Sequence, residues 1–294
     1  LLSADIGGPV TRRTGLSAEL GEKKSAKIDS LFVDRLALNK YDYSGIMAIG
    51  ALSENMFNGT IITNDPSLNF ILQGGFALSS KTRNAKYKFY ATVSDADLYA
   101  MNIDRRGKSK VRFETNADFT KTADGNILGK IDIADLIFTN RDSTSNIGNI
   151  NLTSHSNDDV YKIRLRSQFA DGSYTGSAPV TRFIKDVQEI TLKRETPALF
   201  PDPEFTWGGH SYSLDFNSHD TMKLLAFIMP GLYINRGTKL SMNISNEGIM
   251  DLSLDSKRIA IGGNYIKDVA AALDNRSDTF SGEISVQELM LAGV

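Results

Sequence analysis

The stretch FNGTIITNDPSLNFILQGGF, residues 57–76, indicates the fold class of this chain. Apolar residues alternate with polar ones on both sides of Asp65-Pro66, beginning at Phe57 and ending at Phe76. A period of two is typical of a β-strand, because successive side chains of a strand point to opposite faces. Residues 57–76 are therefore predicted to form a β-hairpin with one apolar face and one polar face.

The same alternation recurs along most of the chain and predicts about fifteen strands. Short turn signals such as 105–107 (Arg-Arg-Gly) and 246–248 (Asn-Glu-Gly) separate the apolar rows. One row changes phase along its length, from Ile131 and Ile133 to Leu136 and Phe138. Short connections favour antiparallel hairpins over βαβ units. The predicted class is mainly β: a long antiparallel meander curled into an elongated twisted groove, with one or two short amphipathic helices.

Residues 178–194 interrupt the alternation with a helical pattern behind Pro179. This helix is expected to turn Phe183, Ile184 and Val187 toward the sheet. Its polar residues are expected to face solvent, and these are Lys185, Gln188 and Glu189.

Three further segments break the strand pattern. Residues 220–229 are predicted to form a short helix capped by Asp220, and residues 95–102 a single helical turn. Residues 195–208 hold three prolines and are read as a linker or as a loop after the helix. The chain is interpreted as one continuous section, 1–294, which can be divided into 1–177 and 209–294, joined by helix 178–194 and this loop.

Two distant segments of the sequence, 35–61 and 258–284, resemble each other without a gap. The alignment keeps the strand phase and matches small and apolar residues: Leu36 with Ile259, Leu38 with Ile261, Ile46 with Val269, Ala48 with Ala271, Phe57 with Phe280, Gly59 with Gly282, and Ile61 with Ile284. It predicts a repeated unit of three strands that was added to one growing sheet.

Composition argues against several classes of function. The net charge of −2 does not favour a nucleic acid as partner, and a chain without cysteine has no disulfide or thiolate chemistry. No run of about 18 apolar residues predicts a transmembrane helix. The chain begins with Leu1 and shows no signal peptide, so it is read as a mature or excised piece.

No motif predicts an enzyme, a cofactor or a metal site. The three histidines, His155, His210 and His219, lack the spacing of a zinc site, and the sequence around Ser211 lacks the second glycine of a nucleophile elbow. The glycine pairs are isolated and do not form a phosphate loop. The sequence offers apolar surface on strands rather than a constellation for catalysis.

Three runs carry a resemblance to a known family: YSGIMAIGALSENMFNGTIITNDPSLNFILQGGFAL (43–78), KYKFYATVSDADLYAMNI (86–103) and SYSLDFNSHDTMKLLAFIMPGLYINRGTKLSMNIS (211–245). Over residues 30–290 the chain resembles the TamB and AsmA-like proteins of Gram-negative envelopes. The resemblance implies a periplasmic sheet rolled into a hydrophobic trough that carries phospholipid tails between the membranes. It also implies an N-terminal inner-membrane anchor outside this sequence, and an Omp85-type outer-membrane barrel as partner in protein translocation and assembly.

The apolar strand phase supplies the candidate lining residues of such a groove. They are Phe57, Leu68, Phe70, Leu72, Phe76, Phe89, Val93, Phe113, Phe119, Ile131, Ile133, Ile163, Leu165, Leu214, Phe216, Leu240, Met242 and Ile244. Alternating strands also fit other classes. A β-sandwich would bury these residues against a second sheet, a transmembrane β-barrel would turn them to lipid, and a β-rich adhesin would use exposed aromatic loops.

Overall fold

The computed structural model describes residues 12–17, 25–53, 56–77, 84–123, 126–140, 143–157, 159–191, 207–276 and 280–291. The chain divides into two compact units, residues 1–150 (unit 1) and 151–294 (unit 2). This division differs from the sub-segments 1–177 and 209–294 of the sequence interpretation. Most of the loop assigned to 195–208 lies outside the described residues.

Unit 1 is built from strands. They are β1 (Arg12–Ser17), β2 (Ser25–Val33), β3 (Leu36–Leu38), β4 (Tyr41–Tyr43), β5 (Ile46–Ser53), β6 (Met56–Asp65), β7 (Leu68–Ala77), β8 (Ala85–Asp97), β9 (Ser109–Lys121) and β10 (Ile127–Asn140). Strands β1, β2, β5, β6, β7, β8, β9 and β10 lie side by side in this order, each antiparallel to its neighbour. β3 and β4 pair with each other. The next strand, β11 (Thr144–Asn157), crosses the boundary between the units.

The hairpin at 57–76 is confirmed as β6 and β7. The two strands pair from Asp65 opposite Leu68 down to Met56 opposite Ala77. Pro66 is well suited to the first position of the connecting turn because its φ is already restricted. The carboxylate of Asp65 accepts a hydrogen bond of 2.8 Å from the backbone N–H of Ser67 and so fixes the turn.

The change of phase in β10 is confirmed as a β-bulge. The register between β9 and β10 shifts between Ala134 and Ile137. Asp135 takes a positive φ of 50° there. The bulge turns Leu136 and Phe138 into buried positions, as the shifted alternation predicts.

Unit 2 combines strands with two helices. The strands are β12 (Val160–Ser167), β13 (Ala170–Gly176), β14 (Tyr212–Ser218), β15 (Leu232–Ile234), β16 (Lys239–Ile244), β17 (Met250–Ile261), β18 (Asn264–Asp274), β19 (Ser281–Ser285) and β20 (Glu288–Met290). β12, β13, β14, β16, β17 and β18 form an antiparallel sheet in this order. β15 pairs with the end of β17, and β19 and β20 both pair with β18. The mainly β, antiparallel meander is confirmed.

The helices are α1 (Val180–Glu189) and α2 (Met222–Ile228), so both helix predictions are confirmed in place. In α1, Phe183 is buried, Val187 is half-buried, and Lys185 and Gln188 are exposed, as expected. Two positions differ. Ile184 is 54% exposed, so the prediction that it faces the sheet is wrong. Glu189 was expected to face solvent but is half-buried. The helix is short, and Asp186 occupies the buried stripe beside Phe183 in place of Ile184.

Two smaller expectations need correction. The N-cap of α2 is Thr221 rather than Asp220. The Thr221 hydroxyl donates to the carbonyl oxygen of Ile234 at 2.8 Å, and it accepts no capping hydrogen bond from the first turn of the helix. Of the predicted turn at 95–102, residues 95–97 belong to β8. The turn itself covers 98–102, beginning with a hydrogen bond of 3.0 Å from the Met101 N–H to the Asp97 carbonyl.

The internal repeat is present in the strand register. Leu36 pairs with Tyr43 and Leu38 with Tyr41, and the matching residues also pair, Ile259 with Ile266 and Ile261 with Asn264. Ala48 pairs with Ile61, and the matching Ala271 pairs with Ile284. Strands β2 to β6 in unit 1 thus correspond to β17, β18 and β19 in unit 2.

Backbone conformations follow the same correspondence. Gly45, with φ 60°, matches Asp268, with φ 47°. In unit 1 this position separates β4 from β5, whereas β18 continues through it. The repeat also extends upstream, because Leu31 pairs with Ala48 as the matching Leu254 pairs with Ala271.

Each copy of the repeat has an acidic side chain with hydrogen-bond partners at the matching position. Asp65 accepts hydrogen bonds from the Tyr41 hydroxyl at 2.5 Å and the Ser44 N–H at 2.8 Å. Burial raises the pKa of Asp65, but the hydrogen bonds from Tyr41, Ser67 and Ser44 outweigh it, so its pKa is lowered. The matching residue, Glu288, accepts from the Tyr265 hydroxyl and forms a 2.6 Å ion pair with Lys267.

Candidate functional site

The predicted lining residues of unit 1 come together on one face of its sheet. Cross-strand pairing aligns them in rows that run across the strands. One row joins Ala48, Ile61, Leu72, Ala91, Thr115 and Ile133, a second joins Gly50, Gly59, Gly74, Phe89, Ala117 and Ile131, and a third joins Ile46, Thr63, Phe70, Val93 and Phe113. Phe57 faces Phe76 with ring centroids 5.3 Å apart, and Phe119 stacks on Tyr87 at 4.7 Å. We call this surface the apolar face of unit 1.

The side chains of this face are only partly covered. Phe57 is buried at 4% exposure, but the other predicted members from Leu68 to Ile133 are half-buried. Large apolar residues in a closed core are usually almost fully buried. Half-burial means that each of these side chains packs against its neighbours along the sheet and still offers surface to another molecule.

Glycines make room for the aromatic rings of this face. Gly74 lies opposite Phe89 with φ 135°, and Gly129 lies opposite Phe119 with φ 140°. A Cβ at Gly74 would come within 2.2 Å of the Lys88 carbonyl oxygen and 2.6 Å of Phe89 Cα. Backbone crowding at these positions therefore excludes a side chain.

The opposite face of the unit 1 sheet is polar and exposed. Ion pairs cross between its strands, from Lys88 to Asp118 at 3.0 Å and from Lys110 to Asp95 at 2.8 Å. A few apolar residues also lie on this face, and Ile71, beside Leu72, is 42% exposed. The two faces of the sheet thus differ sharply in chemistry.

Unit 2 repeats the arrangement with the remaining predicted residues. One row joins Ile163, Tyr174, Leu214, Met242, Leu252 and Leu273, and another joins Leu165, Gly172, Phe216, Leu240, Leu254, Ala271 and Ile284. A third joins Tyr161, Gly176, Tyr212, Ile244 and Met250. We call this surface the apolar face of unit 2. Met242 and Ile244 are buried, whereas Ile163, Leu165, Leu214, Phe216 and Leu240 are half-buried.

Helix α1 accounts for this difference in burial. Phe183 packs edge-on against Tyr212 at 5.2 Å and Tyr174 at 5.6 Å between ring centroids. These three residues, with Ile190, Ile244 and other members, form a buried cluster. The helix therefore covers the row that contains Tyr212 and Ile244, and it does not cover the row that contains Leu165 and Phe216.

A buried polar cluster holds α1 in place. The side chain of Asp186 is fully buried, with its Oδ2 accepting a 2.5 Å hydrogen bond from the Tyr212 hydroxyl and lying 2.9 Å from Nδ1 of His210. Its Oδ1 lies 2.7 Å from Nε of Arg182, in an ion pair without the angular geometry of a hydrogen bond. We call these four residues the Asp186 cluster. Burial, the hydrogen bond to Asp186 and the charge of that carboxylate raise the pKa of Tyr212, so Tyr212 remains the donor.

The sequence does not predict this cluster because its members are far apart in the chain. His210 stands out in the sequence only as one of three histidines, whose spacing does not fit a zinc site. A signal was present in the helix itself, because Asp186 lies three residues after Phe183 and four before Ile190, on the apolar stripe. An acidic residue on such a stripe needs partners, and Arg182 one turn earlier is the nearest in sequence.

A concavity of about 530 Å³ lies on unit 2. Part of its lining carries both charges and hydroxyl groups, and this part includes Arg164, Arg166, Asp171, Ser173, Asp215 and Lys239. The lining also includes Leu165, Gly172, Phe216 and Leu240, which belong to one apolar row of the same strands. The concavity therefore combines residues of both strand phases.

Neither α1 nor α2, the helices found in the described ranges, has the length and apolar content that a bilayer crossing requires. Among the described residues there is no group of three or more His, Asp or Glu side chains that could hold a metal ion. No family model, no curated protein and no solved structure matches the chain.

Proposed function

We propose that this chain is a section of a non-enzymatic lipid-transport and assembly protein that shields phospholipid tails on the apolar faces of its sheets. The observation that supports this most directly is the half-burial of large apolar side chains in rows that cross many strands. An acyl chain has no directional chemistry, so a carrier needs a uniform apolar surface rather than a set of polar contacts.

The energetics of burial suit such a carrier. Burying apolar surface contributes about 25 cal/mol per Å² of favourable free energy, so shielding two tails from water on the sheet contributes many kcal/mol in total. Neighbouring rows offer similar side chains, such as Leu72, Phe89 and Ile131, so a tail changes position with little change in free energy. A head group can stay in water while the tails lie on the face.

The resemblance to TamB and AsmA-like proteins supports the cellular setting of this proposal. In that setting the chain works in the periplasm of a Gram-negative envelope. An Omp85-type barrel is its partner at the outer membrane, and an N-terminal helix outside this sequence anchors it in the inner membrane. Phospholipid tails are the ligand, and outer-membrane protein translocation and assembly is the associated role.

Photo-crosslinking on a single strand tests the proposed ligand. A photoreactive residue at Leu72 on the apolar face is expected to form adducts with phospholipid in envelopes, and the same residue at Ile71 is expected to form few. The two positions are adjacent on β7, both aliphatic, and on opposite faces, so they are matched controls for each other. Mass spectrometry of the purified protein identifies the adduct. Equal labelling at both positions, or none at Leu72, would contradict the proposal.

Placing a charge on the apolar face tests the path itself. Phe113→Asp is expected to lower lipid adducts at Leu72 at least about fivefold while the protein remains folded, because Phe113 is only half-buried and a carboxylate there can reach water. Asn116→Asp adds the same charge on the exposed face of β9 and is the control, expected to leave adducts unchanged. Circular dichroism checks the fold. A β-sandwich would be indicated if Phe113→Asp unfolded the protein and the wild type carried no lipid.

A further inference from the structure

The loop that joins β8 to β9 in unit 1 buries two of its large apolar side chains and exposes two others. Leu98 and Met101 are buried, at 8% and 2% exposure, and anchor the loop in the fold. Tyr99 is 45% exposed and Ile103 is 54% exposed. The loop thus has its own buried anchors, and the two exposed side chains are accessible to another molecule.

Hydrogen bonds hold this loop, residues 98–108, in a defined conformation. The backbone N–H groups of Ile103 and Asp104 both donate to the Leu98 carbonyl oxygen, at 2.8 and 3.0 Å. The Asp104 carboxylate accepts hydrogen bonds from the backbone N–H and the Nε of Arg106, at 3.1 and 2.8 Å. The loop is therefore ordered before a partner binds, which reduces the entropy lost on binding.

The turn between β3 and β4 lies against this loop. The Asn39 side chain donates to the carbonyl oxygens of Met101 and Asn102, at 3.3 and 3.0 Å. The Asn102 side chain donates to the Lys40 carbonyl oxygen at 3.4 Å. Lys40 therefore belongs to the same surface as the residues of the loop.

The turn and the loop carry an excess of positive charge. Residues 39–40 and 98–108 contain four cationic side chains and one carboxylate, whereas the whole chain has a net charge of −2. The carboxylate, Asp104, is paired with Arg106 at 2.8 Å. The other three cations are exposed and form no ion pair within the described ranges, and these are Lys40, Arg105 and Lys108. We call Tyr99, Ile103 and these three cations the basic surface, and its charge is complementary to an anionic partner.

We propose that the basic surface binds a membrane surface that contains anionic phospholipid. The negative potential of such a surface attracts each Lys or Arg that lies close to it. Tyr99 and Ile103 enter the region between head groups and acyl chains, where an aromatic ring with a hydroxyl group is especially well accommodated. A membrane interface therefore takes up both the cations and the apolar side chains of this surface.

A reporter at a single position tests the contact directly, because the chain has no cysteine of its own. The variant Ile103→Cys, labelled with an environment-sensitive dye, is mixed with phosphatidylcholine vesicles that contain about 30% phosphatidylglycerol. Dye fluorescence is expected to shift to the blue and to rise at least about twofold, because the dye leaves water for the interface. The same dye at Ile71→Cys, where the native isoleucine is 42% exposed on the polar face of β7, is expected to show no change.

Sedimentation of the 294-residue protein with the same vesicles measures the contribution of each side chain. Arg105→Glu is expected to lower the partition coefficient about tenfold, because it reverses a charge that faces the anionic surface. Arg112→Glu makes the same change at an exposed arginine on β9 and is expected to lower it less than about twofold, since salt screens distant charges. Ile103→Ser is expected to lower it about fivefold and Ile71→Ser to leave it unchanged, because only Ile103 loses contact with water on binding. All four side chains are exposed, so the melting temperature should not change.

Four results would overturn the proposal. The first is no response of the dye at position 103 to anionic vesicles, and the second is an equal response to vesicles of phosphatidylcholine alone. The third is equal weakening by Arg105→Glu and Arg112→Glu. The fourth is a response to soluble polyglutamate with none to anionic vesicles, which would assign the basic surface to an acidic protein. The basic surface lies outside the rows of the apolar face, so this test and the crosslinking test at Leu72 can fail independently.

Discussion

Replacement of Asp186 by Ala is expected to lower the free energy of unfolding of unit 2 by about 2–4 kcal/mol, one of the largest effects of any single substitution. The Tyr212 hydroxyl is buried and would lose its acceptor. Arg182 keeps 41% of its side chain exposed, so its charge would remain hydrated and adds little to the loss. Asp186→Asn retains an acceptor and is expected to cost less.

Trp207 allows this expectation to be measured locally. It is the one tryptophan of the chain, its ring centroid lies 6.5 Å from that of Tyr212, and its Nε1 donates to the Asn246 carbonyl. Urea unfolding followed by Trp fluorescence should show the shift. The matched control is Glu189→Ala, which removes a half-buried carboxylate 3.5 Å from Arg182 on the same helix and should cost below about 1 kcal/mol. Equal losses for Asp186→Ala and Glu189→Ala would refute the role assigned to the Asp186 cluster.

Gly74→Ala is expected to destabilise unit 1 by about 2–4 kcal/mol, although it adds one methyl group. The φ of 135° is unfavourable for any L side chain, and the new Cβ would collide with the backbone of β8, whose atoms cannot move without breaking the β7–β8 pairing. Gly75→Ala is the matched control. A Cβ there meets nothing closer than 3.8 Å, and Gly75 lies next to Gly74 on the same strand.

Thermal unfolding followed by circular dichroism compares the two glycine variants. Gly75→Ala should melt within a few degrees of the wild type, since a surface substitution without a clash usually changes stability by less than about 0.5 kcal/mol. If Gly74→Ala melted with it, the close approach of β7 to Phe89 would not be a feature of the folded protein.

Strand phase and turn residues were predictable from local sequence because both follow from neighbouring residues. The hairpin at Asp65-Pro66, the bulge after Ile133 and the repeated three-strand unit were all visible as alternation, as a break in alternation, or as matched residues. The lining residues could be assigned to one face for the same reason, since period two fixes the face of every residue in a strand.

Features that depend on distant parts of the chain were not predictable in this way. Ile184 was expected to be buried because helical periodicity alone cannot tell which edge of an apolar stripe meets the sheet. The structure buries Asp186 instead, since Tyr212 and His210 reach it from β14 and the residues before it.

The three-strand repeat means that the width of such a sheet changes in fixed steps. Neighbouring strands lie about 4.8 Å apart, so one unit adds about 14 Å measured across the strands. Each copy has a positive-φ residue, Gly45 or Asp268, and a carboxylate with hydrogen-bond or ion-pair partners, Asp65 or Glu288. Duplication of a unit can therefore widen the sheet while the contacts between neighbouring strands stay the same. The distance that the sheet spans can thus change in evolution with the number of copies.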